Sequence, residues 1–270
     1  MSRGRWRCLL VICALWASGV SHARAGGSVF LEDLTWTEVR GLVASGVTTI
    51  IIPVGGVEQS GPHMALGKHD VRVRILADRI ARSLGRTLVA PVVAYVPEGA
   101  IDPPTEHMRF PGTISVPSAA FRAVLISAAM SLRHAGFRHV VLIGDHGGYQ
   151  DDLKAVADQL NRSWAKTPAR ADYLGAYYTA AQSGFAAELR RRGFPQTEIG
   201  THAGLADTSL SMALAPGLVR AQALARPGSR SVANGVHGDP QRASAALGQV
   251  GVDGIVRSAV AAIRADWARR

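Results

Sequence analysis

Apolar residues in this chain fall into two kinds of run that alternate along it. Val47 to Val54 (VTTIIIPV) is nearly continuous, rich in β-branched side chains, and followed by Gly55-Gly56. Such a run predicts a strand buried on both faces, with Pro53 marking its end. Val71 to Leu84 instead spaces Val71, Ile75, Leu76, Ile80 and Leu84 between charged residues, the pattern of a helix with one apolar face. Thr87 to Val93 predicts a second strand, weakened or pushed toward an edge by Pro91. Ile114 to Val116 is a short extended piece. Ser118 to Ala135 predicts a helix, opened by Pro117-Ser118 and stopped by Gly136. A buried strand is expected at His139 to Ile143, then a helix from Gln150 to Trp164 with Leu153, Val156, Ala157 and Leu160 on one side. Ala171 to Tyr177 predicts a further strand, and Thr208 to Leu214 and Val252 to Trp267 predict helices. Strands alternating with helices predict an α/β domain with a mostly parallel sheet. Residues 96–117 and 180–207 show no period, and loops that long in a compact domain are usually functional.

The amino terminus reads as an address. Arg3, Arg5 and Arg7 precede an apolar stretch from Cys8 to Val20, and Ala23-Arg24-Ala25 has the small-x-small form of a signal-peptidase site. Residues 1–25 are therefore expected to be a cleaved export signal, with residues 26–270 as one domain in the periplasm or outside the cell. Both cysteines, Cys8 and Cys13, lie in the signal, so the mature chain has no disulfide, thiolate zinc site or thiol nucleophile. Removal of four signal arginines lowers the formal net charge from +10 to +6. The remaining arginines are scattered and aromatic residues make up 6%, so a nucleic-acid surface is not expected. No membrane association is expected after cleavage.

Histidines carry the candidate chemistry. His134 and His139 flank a turn. His63, His69, His107, His146, His202 and His237 lie in loops beside predicted strands and helices, most with glycine or proline close by. In open α/β sheets, ligands bind where such loops gather at the carboxyl ends of strands. In GGVEQSGPHMALGKHD (55–70), Glu58, His63, His69 and Asp70 are possible donors to a divalent metal, or simply hydrogen-bonding loop residues. IGDHGGY (143–149) follows a buried strand and opens a helix, which is either a ligand loop or a tight turn. THAGLADTS (201–209) precedes a helix, where Asp207 or Thr208 could be an N-cap.

Together these segments resemble the creatininase (creatinine amidohydrolase) family. GGVEQSGPHMALGKHD is similar to its G-x-x-E-Q-H-G-P-H-L-P-L-G-T-D, GDHGGYQ to its N/G-x-H-G-G-N, and HAGLADTS to its H-A-G-E-x-E-T-S. TEHMRFPGTIS (105–115) and GVHGDPQRAS (235–244) match two further family segments, in order. The resemblance implies a three-layer α/β/α fold, a small-molecule substrate, and assembly of identical subunits, hexameric in the type members. It implies a metal site of Glu58, His146 and the residue at the family's closing Asp. Gap-free counting puts His69 there and makes it the expected third ligand, whereas a one-residue insertion would put Asp70 there instead. Zinc is the first expectation, with manganese or iron possible. The family positions that help hold a second ion are Ser60 and Gly148 here, and the Glu of H-A-G-E is Leu205. One ion is therefore expected rather than two.

The implied activity is hydrolysis of a C–N amide bond, in a cyclic amide or a small amide or formamide, by a metal-activated water. The resemblance makes His202 the proton shuttle and Asp207 the group that orients it or holds the site together. His63, Glu106, His107 and Tyr149 are expected to line the substrate pocket. The contrasting expectation is a catalytically degenerate periplasmic binding or structural protein on the same fold.

Overall fold

A computed structural model describes residues 27–269, and the expected export signal lies outside them. The elements run α1 (Trp36–Ala44), β1 (Thr49–Val54), α2 (Lys68–Leu84), β2 (Thr87–Val89), α3 (Ser118–His134), β3 (His139–Gly144), α4 (Gln150–Ser163) and β4 (Arg170–Tyr173). Six helices follow: α5 (Gly175–Thr179), α6 (Phe185–Arg191), α7 (Gln196–Ile199), α8 (Leu205–Leu214), α9 (Ala221–Leu224) and α10 (Ala245–Ala268). The sheet is parallel in every pairing, with strand order β2-β1-β3-β4.

Side-chain alternation gives each face of the sheet its own core. Ile51, Val89, Val141 and Ile143 pack against Val73, Leu76 and Ile80 of α2 and Val252, Ile255 and Ile263 of α10. Ile50, Ile52, Val140 and Leu142 pack on the other face, against Phe121 and Leu125 of α3 and Leu153 and Val156 of α4. Helices therefore cover both faces, in three α/β/α layers. Double coverage is why β1 and β3 read as unbroken apolar runs.

Chain direction reverses beside β1. It leaves β1 through α2 to β2 on one side, then returns through α3 to β3 on the other. The loops after β1 and β3 diverge at this switch point, opening a crevice at the carboxyl ends of the paired strands.

Several boundaries differ from the hydrophobic pattern. The first turn of α2 begins at Lys68 because its inward residues, Lys68, His69 and Arg72, are polar yet buried. Beyond Val89, only an isolated bridge between Val93 and Val54 continues the pairing of β2. The strand expected over Ala171 to Tyr177 ends at Tyr173, and Tyr177 enters the core from α5. Residues 180–207, expected as loop, contain a π-helical turn (Ala180–Gly184), α6, α7 and the start of α8. These pieces are too short to show a helical period.

The last helix starts earlier than expected, at Ala245, with Ser244 as N-cap accepting the Leu247 N–H at 3.2 Å. By length and hydropathy (1.3 over 18 residues) α10 could cross a membrane. Here it packs along α8 and α2 with Val252, Ile255 and Ile263 in the core. Its glycines mark the close approach. A Cβ on Gly248 would lie 1.8 Å from the Ser209 carbonyl oxygen, whereas one on Gly254 would meet nothing within 4 Å. Gly248→Ala should therefore force α10 off α8 and cost about 3 kcal/mol. Gly254→Ala should be neutral or gain roughly 1 kcal/mol of helix propensity. Denaturant melts of the two variants check the pair.

Candidate metal centre

Glu58 has no exposed surface and stands in the crevice, on the loop after β1. Two glycines let that loop pass. A Cβ on Gly55 would sit 2.1 Å from Asp70 Oδ1, and one on Gly56, at φ +142°, would sit 2.6 Å from Glu98 Oε1. The Tyr149 hydroxyl, from the loop after β3, donates to the Gly55 carbonyl at 2.6 Å and accepts the His146 N–H at 3.1 Å. The loops that follow the two central strands are thus tied together.

The two oxygens of Glu58 face different surroundings. His69 Nε2 lies 2.7 Å from Oε1, Lys68 Nζ 3.3 Å and His202 Nδ1 3.6 Å. On the Oε2 side are His107 Nε2 at 3.1 Å and His146 Nε2 at 3.4 Å, but Oε2 forms no hydrogen bond. Glu98 approaches the same region, with Oε2 3.4 Å from His146 Nδ1, and neither of its oxygens has a hydrogen-bond partner. Ligand atoms of Glu58, Glu98, His107 and His146 lie within 4.8 Å of one another.

Two buried carboxylates with unpaired oxygens beside imidazoles are a donor set that a divalent cation fits. Without a cation, one of them must hold a proton. Burial and the nearby Glu58 raise the Glu98 pKa to about 9. Burial also opposes charge on Glu58, but Lys68 and His69 overcome it and hold Glu58 well below the usual carboxylate value. Burial lowers His146 to about 4, leaving a neutral imidazole able to act as a ligand.

His69 and Asp70 separate clearly. Asp70 turns back to accept the Gly56 N–H at 2.8 Å. His69 points into the centre, bridging Asp145 Oδ2 (2.6 Å, through Nδ1) and Glu58 Oε1. Burial and Lys68 oppose its charge, yet the two carboxylates raise its pKa above the ordinary histidine value.

His202 stands on the loop before α8, which an antiparallel bridge to His237 holds in place. Its Nε2 donates to the Gln59 carbonyl at 2.9 Å, since a carbonyl can only accept. The proton-free Nδ1 then faces Glu58. Burial and Lys68 lower the His202 pKa to about 3, so the ring is neutral near pH 7. The Gln59 side chain is fixed by the Gly61 N–H on its Oε1 at 2.9 Å and donates to His107 Nδ1 at 2.9 Å. His107 therefore keeps its proton on Nε2, toward Glu58.

Other expected residues sit farther back. Asp207 is not hydrogen-bonded to His202; it pairs with Lys68 and Arg72 and accepts the Ala203 N–H. His63 is buried, with Nε2 3.0 Å from Thr208 Oγ1. Tyr149 is buried, and Glu106 is exposed beside His107. Neither His63 nor Tyr149 presents a surface to a substrate. Sequence reasoning missed Glu98, which lies in an aperiodic segment without a motif. It also missed Lys68 and Arg72, whose type normally marks a solvated helix face.

Comparisons with known proteins agree with one another. Residues 32–263 match the Creatininase family model, described as creatinine amidohydrolase. The chain is 29% identical over 189 residues to 3-dehydro-scyllo-inosose hydrolase of Thermotoga maritima. That match covers 70% of this chain and 57% of that protein, so the chain spans little more than half of this relative. It is 28% identical over 197 residues to creatinine amidohydrolase of Pseudomonas putida, covering 71% of this chain and 74% of that one. A solved creatininase variant of the Zn–Zn type aligns with a TM-score of 0.73 at 26% identity, covering 89% of this chain and 98% of its own.

The raised Glu98 pKa has a measurable sign. In metal-free protein the folded state keeps the Glu98 proton from the ordinary value of 4.5 up to about 9, while the unfolded chain has lost it. Stability should therefore fall as pH rises through that window. Glu98→Gln should flatten this dependence, and thermal melts of metal-free wild type and variant between pH 5 and pH 9 check it.

Proposed function

This chain belongs to the creatininase family, and from that premise we propose that it is a metal-dependent hydrolase that cleaves a C–N amide bond in a small substrate. Cyclic amides and small amides or formamides are the substrate class. The observation that carries the reading is the set of unpaired oxygens, Glu58 Oε2 with Glu98 Oε1 and Oε2, beside a neutral His146.

Glu58, Glu98 and His146 would hold one divalent ion. Glu98 ranks ahead of His69 as the third ligand because both ring nitrogens of His69 are already engaged with carboxylates. Zinc is the first choice, and manganese or iron suits the same nitrogen and oxygen donors. When bound, such an ion supplies a Lewis acid and a water whose pKa is lowered toward neutrality.

The chain supplies the rest. Asp145 and His69 brace Glu58 from behind. His202 Nδ1, proton-free and turned into the centre, would stand where a proton passes between the attacking water and the leaving nitrogen. Gln59 fixes His202 through its carbonyl and His107 through its amide, so both rings hold their orientation during turnover. The amino-terminal export signal, as read from the sequence, puts this chemistry in the periplasm or outside the cell.

Metal content by mass spectrometry of residues 26–270, purified without added metal, tests the assignment. About one ion per chain is expected, lost in Glu58→Ala and His146→Ala, bound at least about tenfold more weakly by Glu98→Gln, and kept by His69→Ala. Loss in His69→Ala with Glu98→Gln intact would give the third position to His69. His202→Ala should keep the ion and lower kcat on a hydrolysed amide by about 10²–10⁴-fold. Absence of metal, even after reconstitution, would overturn the hydrolase reading.

A further inference from the structure

Lys68 is the least expected residue in the centre. It sits in the first turn of α2 with 1% of its surface exposed, and its ammonium touches two carboxylates. Nζ lies 3.3 Å from Glu58 Oε1 and is hydrogen-bonded to Asp207 Oδ2. Asp207 Oδ2 also accepts the Ala203 N–H at 2.9 Å, and Arg72 holds its other oxygen. This carboxylate is therefore fixed in place.

The groups on this side of the centre are themselves metal-ligand types. Glu58 Oε1 and Asp207 Oδ2 offer carboxylate oxygens and His202 Nδ1 an imidazole nitrogen, while His69 Nε2 is already engaged with Glu58. A relative of this fold is of the Zn–Zn type, so the architecture can carry two cations. Here one carboxylate has an ammonium on its Oε1 side and unpaired space on its Oε2 side. We infer that Lys68 is a tethered cation that takes the second cation position of this centre and limits it to one metal ion. The inference rests on the reading that Glu58 holds an ion on its Oε2 side.

Electrostatics makes the exclusion strong. A second divalent ion against Oε1 would meet a buried positive charge held between two carboxylates. Like charges at contact distance inside a protein repel far more strongly than they do in water. Removing the ammonium reverses the balance. Glu58 Oε1 would then keep only His69 and Asp207 only Arg72, one positive charge short of the present balance, the condition that favours metal uptake.

Metal stoichiometry and manganese spin resonance test this without reference to turnover. Wild type loaded with excess Mn²⁺ and desalted should hold about one ion per chain, with the six-line signal of an isolated ion. Lys68→Met should take up about two, with a spin-coupled spectrum, and Lys68→Arg should return to about one. Two coupled ions in wild type would overturn the inference while leaving the hydrolase reading intact. A folded Lys68→Met, checked by circular dichroism, that still holds one ion would overturn it too. Wild type without any ion would instead remove the reading on which the inference rests. Should Lys68→Met fail to fold, Lys68→Gln, which removes the charge but keeps a polar side chain, takes its place under the same two outcomes.

Discussion

A carboxylate with no access to water must be surrounded by compensating charge, and Glu58 is such a carboxylate. Much of the crevice is explained by that demand. On one oxygen the compensation is built from the chain, by Lys68 and His69. On the other it is left for something the chain does not encode. Asp145, Asp207, Arg72 and Tyr177 form a further ring that fixes the compensating groups. Burial makes each of these contacts strong, and makes each one costly to leave incomplete.

The fold meets this demand by gathering loops at one end of the sheet. Parallel strands covered on both faces bring two loops to one point, and the tie from Tyr149 to Gly55 joins them. The ionisable groups then stand on rigid supports, the first turn of α2 and the bridge between His202 and His237. A site on such elements keeps its geometry through a reaction cycle.

Apolar periodicity found the sheet because β1 and β3 are nearly pure hydrophobe. It misplaced the start of α2 because Lys68, His69 and Arg72 are buried by pairing rather than by apolarity, and no pattern of polar letters distinguishes that from exposure. Motif spacing brought Glu58, His146 and His202 to one place. It also nominated Tyr149 and His63, which the structure uses as interior struts. Glu98 was illegible for a different reason. Its role depends on the path of the aperiodic segment 96–117, which only the packed structure determines.

The hydrogen bonds of the centre also set an order of assembly. His69 meets Asp145 across 76 residues, Lys68 meets Asp207 across 139, and His202 donates to the Gln59 carbonyl across 143. No stretch of chain that stops short of α8 contains the complete arrangement. The charges around Glu58 are balanced only after the sheet has closed and the segment near residue 207 has docked. A polypeptide still emerging from the ribosome therefore presents no formed cation pocket. Which ion occupies such a pocket is thus decided by what surrounds the chain once it has finished folding.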